Sequence, residues 1–357
     1  MKLSTFAKQS VALYQSGKSV YLRSAPGRGK TTTIVDAVPR IAEATGKRMG
    51  LVIINGPLLT PADMVGYLVP KHHEDGHVES VYTDPFWWRT TEGKRLEEYG
   101  GGVIFVDEAD KMDIDCKKVA GEMSLSGRCG PHTLPPGWVV WMAGNRQGDR
   151  SGSTKELDHL INRRFEIDVT DDIKGWEEWA LKSGVHPTIV TFAVQNPNVV
   201  FAAELPKEQG PFCTPRSLVS TGELLATLSS NDELPTDDDA VELAAAGIGK
   251  AAAAQLFATI RLATELPDFD TVVKNPGTAK LPSAPDAQML GCYQLAARCD
   301  ASTLGAVIQY VERMPADFAA TFAKAACTRV RLFAAHPAMM DWTKRNNTLM
   351  TTLNMFK

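Results

Sequence analysis

The sequence predicts an α/β fold with a parallel sheet in its first half and an all-helical second half. Three observations lead there. Short apolar runs at 19–23, 50–55, 103–107 and 138–143, each bounded by Gly, Pro or Asn, read as strands buried in a parallel sheet. Helix-like stretches at 32–44, 90–99 and 116–125 lie between them and supply the crossovers that parallel strands need. From Asp171 the character changes: 173–183, 187–196, 216–229, 240–265, 284–298, 301–313 and 315–333 read as helices separated by Pro and Gly.

The first strand runs into Ser24-Ala-Pro-Gly-Arg-Gly-Lys-Thr31, which is followed at once by a helix-like run. A glycine-rich loop at a helix N-terminus turns successive backbone N–H groups toward phosphate oxygens, and the helix dipole adds to their field. Residues Pro26, Gly27, Arg28, Gly29, Lys30, Thr31 and Thr32 form the expected cradle. Lys30 is placed to reach the β- and γ-phosphates, and the Thr31 hydroxyl to hold Mg2+. The usual spacing is G-x-x-x-x-G-K-[ST], and Ser24 stands where its first glycine would be.

The third strand, Val103-Ile-Phe-Val, ends in Asp107-Glu108. Downstream of a phosphate loop, Asp107 is expected in the Mg2+ shell, and Glu108 is expected to orient or deprotonate the attacking water. The fourth strand, Trp138-Val-Val-Trp-Met-Ala-Gly, ends in Asn145, whose amide can bond that water or the γ-phosphate. By itself such an asparagine would as readily cap a turn.

Composition limits the remaining classes. The chain has 357 residues, 44% hydrophobic and 22% charged, and no apolar run long enough to cross a bilayer, so a cytoplasmic protein without membrane attachment is expected. Six cysteines without C-x-x-C pairing read as reduced thiols. A formal net charge of −4 does not suit a surface built to coat nucleic acid, leaving nucleic acid possible but unsupported. His72, His73 and His77 share a polar turn with Glu74 and Asp75 and read as a solvated loop, so no metal beyond Mg2+ is assigned. Phe86-Trp-Trp88 is either core packing or a substrate-touching surface. The acidic stretch 229–239 reads as a surface linker, and the Ala-rich 244–254 as part of a packed helix.

The order of parts is informative: phosphate loop, Asp107-Glu108, Asn145, then Leu157-Asp-His-Leu-Ile-Asn-Arg-Arg-Phe165 and Cys213-Thr-Pro-Arg-Ser217. In that order the chain resembles the MoxR family of AAA+ ATPases over residues 5–228. Asp63-Met-Val-Gly66 followed by 67–85 is similar to the hairpin that interrupts the second helix in that clade, and Glu74-Asp-Gly76 suits its turn. Leu134-Pro-Pro-Gly-Trp138 and Ala143-Gly-Asn-Arg-Gln-Gly-Asp-Arg150 are similar to MoxR-like motifs. Asp149-Arg150 and Asn162-Arg-Arg-Phe165 also resemble McrB-type restriction GTPases, which leaves the base of the nucleotide open.

The resemblance implies an AAA+ P-loop NTPase domain of three α/β/α layers over 1–170, with the hairpin at 63–85. A helical lid over 171–230 and a further helical region over 231–357 follow. It implies ATP and Mg2+ at sites shared between subunits of a homo-oligomeric ring, a hexamer. Arg164, or its neighbour Arg163, would be a finger reaching the next subunit's γ-phosphate, Arg150 an additional contact, and Arg216 the sensor arginine of the lid. The implied activity is ATP hydrolysis that remodels or activates a client protein, with a von Willebrand factor A domain protein as partner. The alternative is a nucleic-acid-directed motor or restriction-type subunit. Against it, the hairpin mixes Lys71 and three histidines with Glu74, Asp75 and Glu79, which is not a cationic track.

Overall fold

The computed structural model describes residues 1–146, 164–202, 204, 206, 209–229 and 233–346. They form two compact units, Met1–Asp172 and Ile173–Lys357.

The first unit is a three-layer α/β/α domain. Strands β1 (Val20–Arg23), β2 (Gly50–Asn55), β5 (Gly102–Asp107), β8 (Trp138–Gly144) and β9 (Phe165–Asp168) form one sheet in the order β2-β5-β8-β1-β9. Every pairing in it is parallel. Alternation along the strands makes the layers. Val20 and Leu22, Val103 and Phe105, and Val139 and Trp141 point to one face, where Phe6 of α1 (Leu3–Gln15) and Ile34 and Ile41 of α2 (Lys30–Thr45) cover them. Tyr21, Ile104, Val106, Val140 and Met142 point to the other, against Cys116, Ala120 and Met123 of α4 (Ile114–Ser126). A strand covered on both sides has no polar face, which is why these runs read as uninterrupted apolar stretches.

A hairpin follows β2 in the chain. After a short α3 (Pro61–Val65), β3 (Leu68–His72) and β4 (Val78–Tyr82) pair antiparallel from Leu68 opposite Tyr82 to His72 opposite Val78. A small second ladder joins β6 (Arg128–Cys129) to β7 (His132–Thr133). Trp87 and Trp88 are buried in the core beside α4, and Phe86 is exposed. Two expectations change here. Residues 90–99 are not a helix: Gly93 N–H donates to Thr90 O and Thr90 N–H to Lys94 O, closing a tight turn, with only Leu96–Glu98 as a 3-10 turn. Burial of Leu96 and Tyr99 in the core, reached through that turn, outweighs the local helix preference. Strand β9 was not foreseen, because its one-sided alternation at a sheet edge is short.

The second unit is all helical. One core gathers Ile189, Phe192, Leu218 and Leu225 with Ala244, Leu256 and Phe257. Another gathers Ala180, Leu181 and Val190 with Cys292, Tyr293, Phe322 and Trp342. Helices expected in a lid and helices expected in a separate C-terminal region thus share both cores. The helix expected over 240–265 is broken into Asp238–Ile248 and Lys250–Arg261. Gly249 makes the break at φ 83°, and a Cβ there would lie 2.7 Å from the Pro211 carbonyl oxygen. Helices Phe269–Lys274 and Pro337–Arg345 were not anticipated. Among the described residues no helix is long and apolar enough to cross a membrane.

Candidate functional site

Register brings the candidate residues to one edge of the sheet. Leu22 lies opposite Ala143, Arg23 opposite Gly144 and Val106 opposite Met142, so the segments that follow β1, β5 and β8 leave side by side at the carboxyl ends of the strands. Crevices at that edge are where open α/β sheets bind ligands.

After β1 the chain turns through Gly27 at φ 71° and Gly29 at φ 88°, left-handed conformations that suit glycine, and Gly29 is the N-cap of α2. No side chain caps this helix at Gly29, and a helix N-terminus of this kind is where backbone N–H groups and the helix dipole favour an anion. Pro26 is half-buried, and Thr32 is exposed on the first turn. Arg28 turns away from the loop: its Nε lies 3.2 Å from Asp171 Oδ1, and its side chain is largely buried.

Lys30 is 8% exposed. Its Nζ donates to Ser24 Oγ at 2.9 Å, Ser24 O at 3.2 Å, Ala25 O at 3.3 Å and Asn145 Oδ1 at 3.4 Å. The loop lysine and the strand-terminal asparagine, separated by over a hundred positions in the chain, are therefore in contact. Thr31 Oγ1 donates to Asp107 Oδ2 at 2.5 Å, joining the end of the loop to the end of β5. Two hard oxygen donors converging in this way suit Mg2+.

Glu108 has φ 49° and ψ 35°, and its N–H donates to Asp107 Oδ1 at 2.9 Å. Its carboxylate accepts from Lys111 Nζ at 3.0 Å and is 44% exposed. The backbone presents Glu108 beside the Asp107 carboxylate, while its side chain is held by Lys111. Asn145 is 9% exposed, and the glycine before it has no room for a side chain. A Cβ on Gly144 would come within 2.3 Å of the Tyr21 hydroxyl and 2.7 Å of Asp110 Oδ1. Asp110 is buried beneath this strand end, and its carbonyl accepts from the buried Lys117 at 3.0 Å.

Arg164 sits against its own domain. Its guanidinium lies 4.0 Å from the centre of the Tyr21 ring and donates to Glu166 Oε1 at 3.2 and 3.0 Å, leaving the side chain 5% exposed. Glu166 also pairs with Arg23 at 2.6 Å, so one carboxylate on β9 holds two arginines. Sequence reasoning missed Glu166; the alternation Phe165-Glu-Ile-Asp168 was the available signal. Arg163, Arg150 and the rest of 147–163 lie outside the described residues. In the second unit, Arg216 is exposed in the first turn of Pro215–Thr227, a helix closed by a Thr214–Ser217 capping box.

His73 lies 3.2 Å from Glu79 across the insertion hairpin, and His72 and His77 are exposed.

No protein-family model matches this chain, and no curated protein matches it. Among solved structures it is similar to the Thermotoga maritima RuvB Holliday junction branch migration motor. That likeness has 14% identity, covers 76% of this chain and 74% of the other, and has a TM-score of 0.40. It is also similar to NtrX from Brucella abortus, solved in complex with ADP: 13% identity, 97% and 68% coverage, TM-score 0.39. Likenesses this distant leave the function to be argued from the residues themselves.

Proposed function

We propose that the first unit is a MoxR-like AAA+ ATPase module that hydrolyses ATP at sites shared between subunits of a homo-oligomeric ring, a hexamer, and remodels or activates a protein client. The observation that carries this reading is the convergence of Lys30, Thr31, Asp107 and Asn145 from three segments at one sheet edge. In this reading the uncapped first turn of α2 binds the phosphates through its N–H groups. Thr31 and Asp107 would hold Mg2+, which would supply charge neutralisation at the phosphates.

Lys30 turns its ammonium from the loop acceptors to the γ-phosphate. Glu108 leaves Lys111 and takes a proton from the attacking water, whose oxygen bonds to phosphorus as the bond to the bridging β–γ oxygen breaks and ADP departs. Asn145 orients that water. A neighbour's Arg163 or Arg164 offsets the developing charge from across the interface; for Arg164 this requires leaving Tyr21 and Glu166. Arg216 is the sensor arginine of the same reading. A protein client, or a von Willebrand factor A domain partner by family likeness, would be moved by nucleotide-driven changes in the helical unit.

Steady-state hydrolysis and nucleotide binding test the reading together. Glu108→Gln is expected to retain ATP binding with turnover lowered on the order of a hundredfold or more, and Lys30→Ala to lose binding. Equal turnover in wild type and Glu108→Gln would remove the assignment. Mixing Lys30→Ala subunits with Arg163→Ala or Arg164→Ala subunits should restore part of the activity for whichever arginine acts in trans.

A further inference from the structure

Ser24 stands where the phosphate-loop pattern has glycine, and the fold shows no conformational reason for either residue. Among the described residues Glu108 alone has a positive φ without being glycine, so Ser24 sits in ordinary backbone space. It is 2% exposed, and its N–H donates to Gly144 O at 3.3 Å, which fastens the loop to the end of β8. Its hydroxyl donates to Ala25 O at 2.8 Å, which leaves the oxygen lone pairs facing Lys30 Nζ at 2.9 Å, the shortest of that ammonium's contacts given above. A glycine would supply the Ser24 carbonyl to Lys30 but not this oxygen.

We infer that Ser24 is a positioning residue that holds the Lys30 ammonium on the loop in the nucleotide-free state and so weakens binding of polyphosphates. The inference rests on the nucleotide reading above. An ammonium has three protons and no acceptor, so each proton turned to a phosphate is withdrawn from a loop oxygen. Hydrogen bonds to charged groups are the strong ones, so removing the Ser24 hydroxyl raises the free energy of the free state. The bound state, in which Lys30 faces phosphate, is little changed. Affinity therefore rises, and the gain follows the phosphates that Lys30 touches rather than the base.

The test is calorimetric titration of the full chain with ATPγS, ADP, AMP and inorganic tripolyphosphate, each with Mg2+, for wild type, Ser24→Ala and Ser24→Cys. Cysteine keeps nearly the volume of serine but accepts a hydrogen bond poorly, so it separates loss of the acceptor from loss of packing. Both variants are expected to bind ATPγS and tripolyphosphate roughly three- to tenfold more tightly, with AMP affinity unchanged. A loop merely loosened by the change would weaken all four ligands. Unchanged or weaker tripolyphosphate binding by both variants, with wild type binding ATPγS normally, would overturn the role of Ser24 and leave the nucleotide reading standing. Absence of phosphate-dependent binding in wild type and variants alike would remove both.

Discussion

Glu108 lies in a left-handed conformation that costs an ordinary side chain roughly 1 kcal/mol or more, yet it follows a regular buried strand. Strain at the one carboxylate assigned to activate water fits a residue kept for chemistry rather than stability. Its ion pair with Lys111 is half-exposed and contributes little to stability. Glu108→Gly should therefore raise the melting temperature of the first unit by about 2–4 °C while abolishing hydrolysis, as scanning calorimetry beside an ATPase assay would show. A lower melting temperature would mean that the conformation is not strained. Ser24 makes the complementary point, since a departure from a motif strains no backbone where the conformation is ordinary. Lys30 and Thr31 were singled out in the sequence by the glycine-rich loop, and Asp107, Glu108 and Asn145 by the apolar runs whose ends they mark. The conformations of their side chains were not legible, because Lys111 holds Glu108, Ser24 holds Lys30 and Asp107 holds Thr31 through space.

At the level of elements, the hairpin of β3 and β4 stands apart from the layers. Its ten strand residues are exposed except for the half-buried Val81, and none belongs to a hydrophobic core of the first unit. The Thr83 N–H donates to the Tyr67 carbonyl at 2.9 Å, so the base of the insertion is already closed. Replacing 68–82 with a short Gly-Ser turn should leave folding cooperativity, circular dichroism of the remainder and nucleotide affinity unchanged. If the hairpin engages the client, client-stimulated turnover alone would fall. A large loss of stability would show that the insertion supports the domain. The hairpin was expected from the family resemblance of 63–85, with Asp75-Gly76 suited to its turn. The segment 90–99 was misread for a related reason: periodicity alone cannot separate a helix from a turn that delivers Leu96 and Tyr99 to a core.

Across the whole chain, the six cysteines are free, and five of them are buried. Desolvation pushes the thiols of Cys129, Cys213, Cys292 and Cys299 up to about 12, and that of Cys327 up to about 11. A folded chain that keeps its thiol protons above the ordinary thiol value has stability that is fully present below pH 9. That stability declines as the pH rises from there toward 12, because the unfolded chain releases those protons first. Urea denaturation under reducing conditions should show stability falling above pH 9, by about 1.4 kcal/mol per pH unit for each thiol still protonated only in the fold. A flat profile from pH 8 to 10.5 would contradict the burial of these groups.

By itself the sequence determined most of the local pieces: four of the five strands of the sheet, where a glycine-rich loop meets a helix, and which polar residues follow the strands. Period and composition act over neighbouring residues, and they survive without any fold. Strand order, the pairing of Thr31 with Asp107 and Lys30 with Asn145, the break at Gly249 and the inward turn of Arg164 were decided only by tertiary structure. Each depends on contacts between segments distant in the chain, where burial and close approach override local preference. The helices after Asp172 illustrate the same division, since their positions were largely readable while the two cores they share were not.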